Sequence, residues 1–292
     1  MPNVCDVRVR FYLPSEALRP HFTTFYITEI TVPDGGRVTD WLHPEWANLR
    51  VCSGNLPDSE VAGSRYGSSI APFTGPTSTT VRFTVGTVRM WGVGLLPLGW
   101  ARLVGVPAHD YANRIFDAHV EPALAPFRSL VDGVFGPEPD EAAELARIEA
   151  HFAARMHGTV PDEARIVACH QALVDEDIST VAEMGEAACL PSHTLERLCR
   201  KHFGFPPRLL LRRQRFMRSL AQYMLDPSLR WIGAIDSHYH DQAQFVRDFH
   251  AFMGMSPSEY GGMPHPVLSG VMKARQEAAG AAVQALHLPG RG

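Results

Sequence analysis

An α+β chain is predicted here, with a β-rich N-terminal domain trailed by helices and an all-α C-terminal domain built on a repeated unit. Three observations predict it. Residues 1–104 read as short β-type runs broken by turn residues, the pattern turns helical from Ala108 onward, and one amphipathic helix near the C-terminus occurs twice, about fifty residues apart.

The strands come first. Val7–Tyr12, Phe22–Thr28, Asn48–Cys52, Thr79–Val85 and Met90–Leu96 are rich in branched and aromatic residues. Pro33-Asp34-Gly35-Gly36, Ser53-Gly54-Asn55 and Phe73-Thr74-Gly75-Pro76 supply the turns. Helical patterning then predicts Asp110–His119, Val120–Phe135 and Glu141–His157, with Gly158-Thr159-Val160-Pro161 as linker. The domains expected are 1–158, 162–265 and a C-terminal tail over 266–292.

In the repeat, Leu195-Glu196-Arg197-Leu198-Cys199-Arg200-Lys201-His202-Phe203-Gly204 is echoed by Phe245-Val246-Arg247-Asp248-Phe249-His250-Ala251-Phe252-Met253-Gly254. Positions 195, 199, 202 and 245, 249, 252 fall at i, i+4, i+7 on one mostly apolar face. Arg197 and Arg247 share a place on the opposite face. Each copy runs into a glycine that tolerates the left-handed C-cap conformation, and Pro207 or Pro257 follows. Thr180–Ala188 and Leu229–Ser237 precede the copies as shorter helices, across Cys189-Leu190-Pro191-Ser192 and His238-Tyr239-His240-Asp241. A short helix, a tight turn and a second helix presenting arginine is the arrangement that enters a DNA major groove. The pattern therefore predicts two helix-turn-helix units. Pro207–Leu225 between them reads as one uninterrupted helix of about 28 Å, comparable to the roughly 34–36 Å between successive major-groove faces.

The motif Asp241-Gln242-Ala243-Gln244-Phe245-Val246-Arg247-Asp248-Phe249, with Gly254-Met255-Ser256-Pro257-Ser258-Glu259-Tyr260, closely resembles the AraC/XylS family of transcription regulators over about residues 162–262. Thr194–Leu198 with Lys201-His202-Phe203-Gly204 is similar to that family's first recognition helix. The chain departs from the pattern at four places. Cys189 and His238 stand where the turns usually carry glycine, Gly185 where alanine is favoured, and Gly233 where a larger apolar residue is. The resemblance implies base reading by His193, Glu196 and Arg197 in the first recognition helix, and by Gln242, Ala243, Val246 and Arg247 in the second. Arginine can bridge guanine O6 and N7, glutamine can pair with adenine, glutamate can accept from cytosine N4, and valine can touch a thymine methyl. Arg200, Lys201, Arg208 and Arg212 are the phosphate-contact candidates, although linker-helix arginines could instead tie the units together.

Charge is unevenly spread. The whole chain carries −4, but residues 191–219 hold seven Arg and one Lys against Glu196 alone, a net +7. Residues 161–190 net −6 and residues 1–160 net −4. A basic patch on an acidic protein suits phosphate binding and expects double-stranded DNA as partner.

The N-terminal half is loosely similar, around Val93–Trp100, to domains attached to a poorly characterised branch of the same family, which are thought to sense a ligand or to dimerise. Trp41, Trp46, Tyr66, Phe73, Trp91 and Trp100 could line an apolar pocket, with Arg50 or Arg89 for an anion, although aromatics in a β domain more often form plain core. The expected partners beyond DNA are a small-molecule effector, a second copy of the chain and RNA polymerase; the alternative is a ligand-free partner-binding module. No membrane partner and a cytoplasmic location are expected, since no apolar run is long enough to span and the start lacks the features of a secretory signal.

An enzyme is not expected. His238, His240, or His43 with Glu45 could be assembled into a metal enzyme or metal sensor, but no His-Glu-x-x-His, Gly-x-Ser-x-Gly or phosphate-cradling motif occurs. No cofactor or metal is expected. Five cysteines without a Cys-x-x-Cys pair predict free, mostly buried thiols.

Overall fold

The computed structural model describes residues 5–288. The N-terminal half contains ten strands: β1 (Asp6–Tyr12), β2 (Phe22–Thr31), β3 (Val38–Leu42), β4 (Asn48–Gly54), β5 (Asp58–Val61), β6 (Ser64–Tyr66), β7 (Pro72–Thr74), β8 (Val81–Val85), β9 (Val88–Leu95) and β10 (Ile115–Asp117). They form two antiparallel sheets, of order β1-β2-β9-β4-β7-β10 and β3-β8-β5-β6. Three helices accompany them: α1 (Pro97–Leu103), α2 (Arg128–Gly133) and α3 (Glu141–Ala153).

The larger sheet is buried on both faces, and strand alternation decides what goes where. Ile27 of β2, Leu49 and Val51 of β4, and Trp91 and Val93 of β9 pack with Phe127, Leu130, Ile148 and Phe152 under α2 and α3. The intervening residues Tyr26, Asn48, Arg50 and Met90 face the other way, toward the smaller sheet. Gly92 makes this possible, because a Cβ there would fall inside the Tyr26 ring.

All five expected strand runs are present, whereas β3, β5, β6, β7 and β10 were not anticipated. They are three to five residues long, too short for period-two alternation to stand out. The helix expected over 110–119 is replaced by a short 3-10 turn at Ala108–Asp110 and by β10, which pairs with β7. Edge pairing overrides the local helical pattern there.

The C-terminal half comprises α4 (Glu163–Val174), α5 (Val181–Ala187), α6 (Ser192–Phe203), α7 (Pro207–Leu225), α8 (Arg230–Ala234), α9 (Gln242–Met253), α10 (Pro257–Gly261) and α11 (Leu268–Ala279). The first unit has a core of Ile166, Leu173, Met184, Leu195, Cys199 and Phe203, into which Trp46, Leu96 and Leu98 of the N-terminal half also pack. A second core gathers Phe216, Leu220, Phe245, Phe249, Phe252 and Tyr260. Helix α7 contributes its first half to one core and its second half to the other, so it sets how the two units sit.

Residues 266–292 were expected as a tail. Within the described residues they are not one: α11 packs on β1, β3 and α7, and Ala282, Val283 and Ala285 join the second core. The buried Asp40 carboxylate of β3 accepts from the backbone N–H groups of Val267 and Leu268, at 2.9 and 2.8 Å, at the entry of α11. A carboxylate at a helix N-terminus satisfies otherwise unpaired donors and meets the positive end of the helix dipole. Cys5, Cys52, Cys169 and Cys199 are buried free thiols and Cys189 is exposed.

Candidate nucleic-acid interface

The first helix-turn-helix unit starts on a capping box. Thr180 accepts from the Glu183 backbone N–H, and the Glu183 carboxylate accepts from the Thr180 N–H. Its turn passes through Cys189 at φ 53°, a left-handed conformation that a side chain with a Cβ strains to adopt. The departure from glycine at this turn therefore carries a cost; the corresponding departure at His238 does not, since its φ is not in that region. Cys189→Gly is expected to stabilise the protein by about 1 kcal/mol, measured as a rise in the urea midpoint. An unchanged or lowered midpoint would show that the strain is relieved in some other way.

Recognition helices α6 and α9 end at Gly204 (φ 85°) and Gly254 (φ 71°), both left-handed as expected. Asp241 caps α9, accepting from Gln244 N at 2.6 Å, while α6 begins after Pro191 without a side-chain cap. The exposure of residues 191–200 and 241–250 is the same position by position. Leu195, Leu198 and Cys199, and likewise Phe245, Asp248 and Phe249, are buried, while positions 193 and 197, and 243 and 247, are open to solvent.

Each base-reading candidate has a definite place on these helices. His193, Arg197, Gln242, Ala243 and Arg247 are exposed, and Glu196 and Val246 are half-buried. Among the described residues neither Arg197 nor Arg247 has a hydrogen bond or ion pair. Glu196 accepts from Arg200 Nε at 2.8 Å, an exposed i,i+4 pair worth at most about 0.5 kcal/mol and so readily exchanged for another partner. Val246 leans partly on the second core.

Of the phosphate candidates, Arg208 is exposed, Lys201 is half-buried, and Arg200 carries only the Glu196 pair. Arg212 differs from the expectation of a free phosphate contact. Its Nη2 lies 2.5 Å from Oδ1 of Asp248, a carboxylate only 3% exposed. Arg215 donates to the other oxygen at 3.3 Å, and the Tyr239 hydroxyl donates to it at 3.1 Å. A buried carboxylate needs counter-charge and donors, and the linker helix supplies them. Asp236 is likewise held by Arg218. Asp248 thus ties α9 to α7, a role that sequence reasoning missed. Its signal was there: Asp248 falls on the inward stripe 245, 248, 249, 252, opposite an arginine-rich helix.

Between the units, Thr180 and Val181 at the start of α5, Arg208 and Arg212 on α7, and Arg247 on α9 line a cleft of about 520 Å³. It gathers the basic charge of the linker helix on one side of the tandem pair.

The N-terminal ligand candidates fare differently. A cavity of about 120 Å³ lies between the two sheets and α11, and of the eight residues expected to line it only Arg50 does. Trp91, Phe73 and Trp100 are core residues on the helix-covered side. The Trp91 indole donates to Glu144 at 2.7 Å, and Arg89 is paired with Glu144 and Glu29. Trp46 meets His170 and Phe203 edge-on at the junction with the first unit, beneath the Arg213 guanidinium 4.1 Å from the ring centre. Trp41 lies in β3 and Tyr66 in β6. For Phe73 and Trp91, alternation puts the side chain on the helix-covered side of the sheet while their neighbours Pro72, Thr74 and Met90 line the cavity.

His238 and His240 fall in the turn before α9, and His43 donates to or accepts from the Tyr260 hydroxyl at 2.7 Å. Burial lowers the His43 pKa to about 3. Among the described residues no group of three or more His, Cys, Asp or Glu is placed to hold a metal ion, and no helix is long and apolar enough to cross a membrane.

A sequence family described as a helix-turn-helix domain matches residues 184–262, which span most of α5 through α10. Residues 184–262 are thus similar to a helix-turn-helix domain in sequence as well as in the arrangement of α5 to α10. No curated protein sequence matches the chain. Among solved structures, ToxT from Vibrio cholerae O395 is similar at 12% identity and a TM-score of 0.41, covering 88% of this chain and 97% of that one. An unsaturated fatty acid-bound ToxT from Vibrio cholerae strain SCE256 is similar at 10% identity and a TM-score of 0.42, covering 90% and 96%. The AraC-like transcriptional activator CuxR is similar at 13% identity and a TM-score of 0.29, covering 76% and 89%. In this chain the first helix-turn-helix unit is continuous in packing with the β-rich half through Trp46, Leu96 and Leu98.

Proposed function

We propose that the chain is a sequence-specific DNA-binding transcription regulator in which α6 and α9 read successive major-groove faces and the β-rich half sets its activity through a small molecule. The observation that carries the reading is the matched exposure of the two recognition helices, each presenting at the same place an arginine, Arg197 or Arg247, with no partner among the described residues. His193, Glu196, Gln242, Ala243 and Val246 complete the base-reading set, and Arg200, Lys201 and Arg208 contact phosphates. The expected partners are a promoter duplex, RNA polymerase and a second copy of the chain.

Because the first unit shares its core with the N-terminal half, the test belongs to the whole chain rather than to residues 162–265 alone. Selection from a random duplex library is expected to return one site, bound with an affinity that falls steeply as salt rises through counterion release. Equal binding to selected and random duplexes at moderate salt would sink the proposal. The cavity between the sheets favours a small-molecule sensor over a ligand-free partner module.

A further inference from the structure

The cavity between the sheets is walled largely by apolar groups, among them Ile30, Phe83, Met90, Val271 and Met272. Three charged residues line it: Glu45, Arg50 and Arg275. Arg50 and Glu45 neutralise each other at 2.7 Å. Among the described residues Arg275 has no such partner. It is 5% exposed, its Nη1 donates to Thr24 Oγ1 at 2.8 Å, and its guanidinium lies 5.6 Å from the Phe11 ring centre. Its Nε and Nη2 are shielded from solvent and have no hydrogen-bond partner among the described residues. These two atoms form one edge of the guanidinium, the edge that takes the two oxygens of a carboxylate side by side. A buried cation with unmade hydrogen bonds costs several kcal/mol, whereas an anion on that edge recovers both the hydrogen bonds and the charge.

We propose that the cavity binds an apolar monocarboxylate, with its carboxylate on the Nε–Nη2 edge of Arg275 and its apolar body between the sheets. The charge count selects a monoanion: Glu45, Arg50 and Arg275 leave one net positive charge, which a single carboxylate balances and a phosphate dianion overshoots in an apolar space. The reading residue lies on α11, outside the matched segment 184–262, on a helix whose start is held by Asp40 of β3 and whose following residues Ala282 and Val283 pack in the second core. A bound carboxylate therefore joins the β sheets to the chain that leaves the second DNA-binding unit. This rests on the reading of the β-rich half as a small-molecule sensor and names the ligand class for it.

The test uses the full chain and four probes: octanoate, phenylbutyrate, octanol and inorganic phosphate. Both carboxylates are expected to raise Tm saturably, while octanol and phosphate are not. Arg275→Gln is expected to weaken octanoate binding roughly tenfold to a hundredfold. Arg275→Lys keeps the charge and stem but loses the paired edge, and about a tenfold loss is expected from it, so the proposal stays testable if the glutamine variant does not fold. Equal stabilisation by octanol and octanoate, stabilisation by phosphate alone, or octanoate binding unchanged in Arg275→Lys overturns the assignment. Octanoate binding through Arg275 with no change in DNA affinity supports the site and removes the sensor reading, so the two failures are distinguishable.

Discussion

Replacing Asp248 by alanine is expected to cost about 3–5 kcal/mol of stability, because it leaves buried cations without their counter-charge. Asp248 is 3% exposed and receives Arg212, Arg215 and the Tyr239 hydroxyl at once, from the linker helix and from the turn before α9. Arg215 suffers most, since its guanidinium sits 4.3 Å from the Tyr239 ring centre with little access to water to replace the carboxylate. Urea denaturation of the full chain measures the loss. Arg212→Ala is expected to cost less, about 1 kcal/mol, because Arg212 is partly exposed and Arg215 stays to balance Asp248. A loss under about 1 kcal/mol for Asp248→Ala, or equal losses for the two variants, would show that α9 is not fixed to α7 through this carboxylate.

The repeat was legible because it obeys one rule at two places. Leu195, Cys199 and His202, like Phe245, Phe249 and Phe252, are buried on the face that the helical period assigns them, and the glycines close both helices. Such information is local: a helix of twelve residues carries its own period, cap and stop. The β-rich half was legible only in its longer strands, since β7 and β10 owe their conformation to pairing across about forty residues of intervening chain rather than to their own three residues each. The pocket was misplaced for a related reason. Tryptophan and phenylalanine identify apolar positions without saying which face of a sheet they take, so Trp91 went into the helix-covered core while Tyr26, beside it on β2, faced the cavity. Arg275 could not have been found from sequence, because its meaning depends on the return of α11 to β1 and β3, a contact between the two ends of the chain.

Arg197→Ala and Arg247→Ala are expected to lower specific DNA binding by about 1–3 kcal/mol each, a loss of roughly tenfold to a hundredfold, while non-specific binding falls much less. Both residues are exposed, neither has a partner to lose among the described residues, and alanine is a good helix former, so stability is expected to change little. Arg208→Ala sets the contrast. It lines the cleft between the units as a proposed phosphate contact, so its loss is expected to weaken every duplex alike and to lower the salt dependence by about one counterion. The double variant Arg197→Ala/Arg247→Ala separates two ways of engaging DNA. If both helices dock at once, the two losses add; if either helix alone can hold the site, each single substitution costs little and the double variant loses more than the sum of the two. Competition measurements against a selected and a scrambled duplex read all of this directly. Arg197 and Arg247 losses that are equal on both duplexes would mean that the arginines contact phosphate, and the division of these helices into base readers and backbone contacts would then have to be reversed.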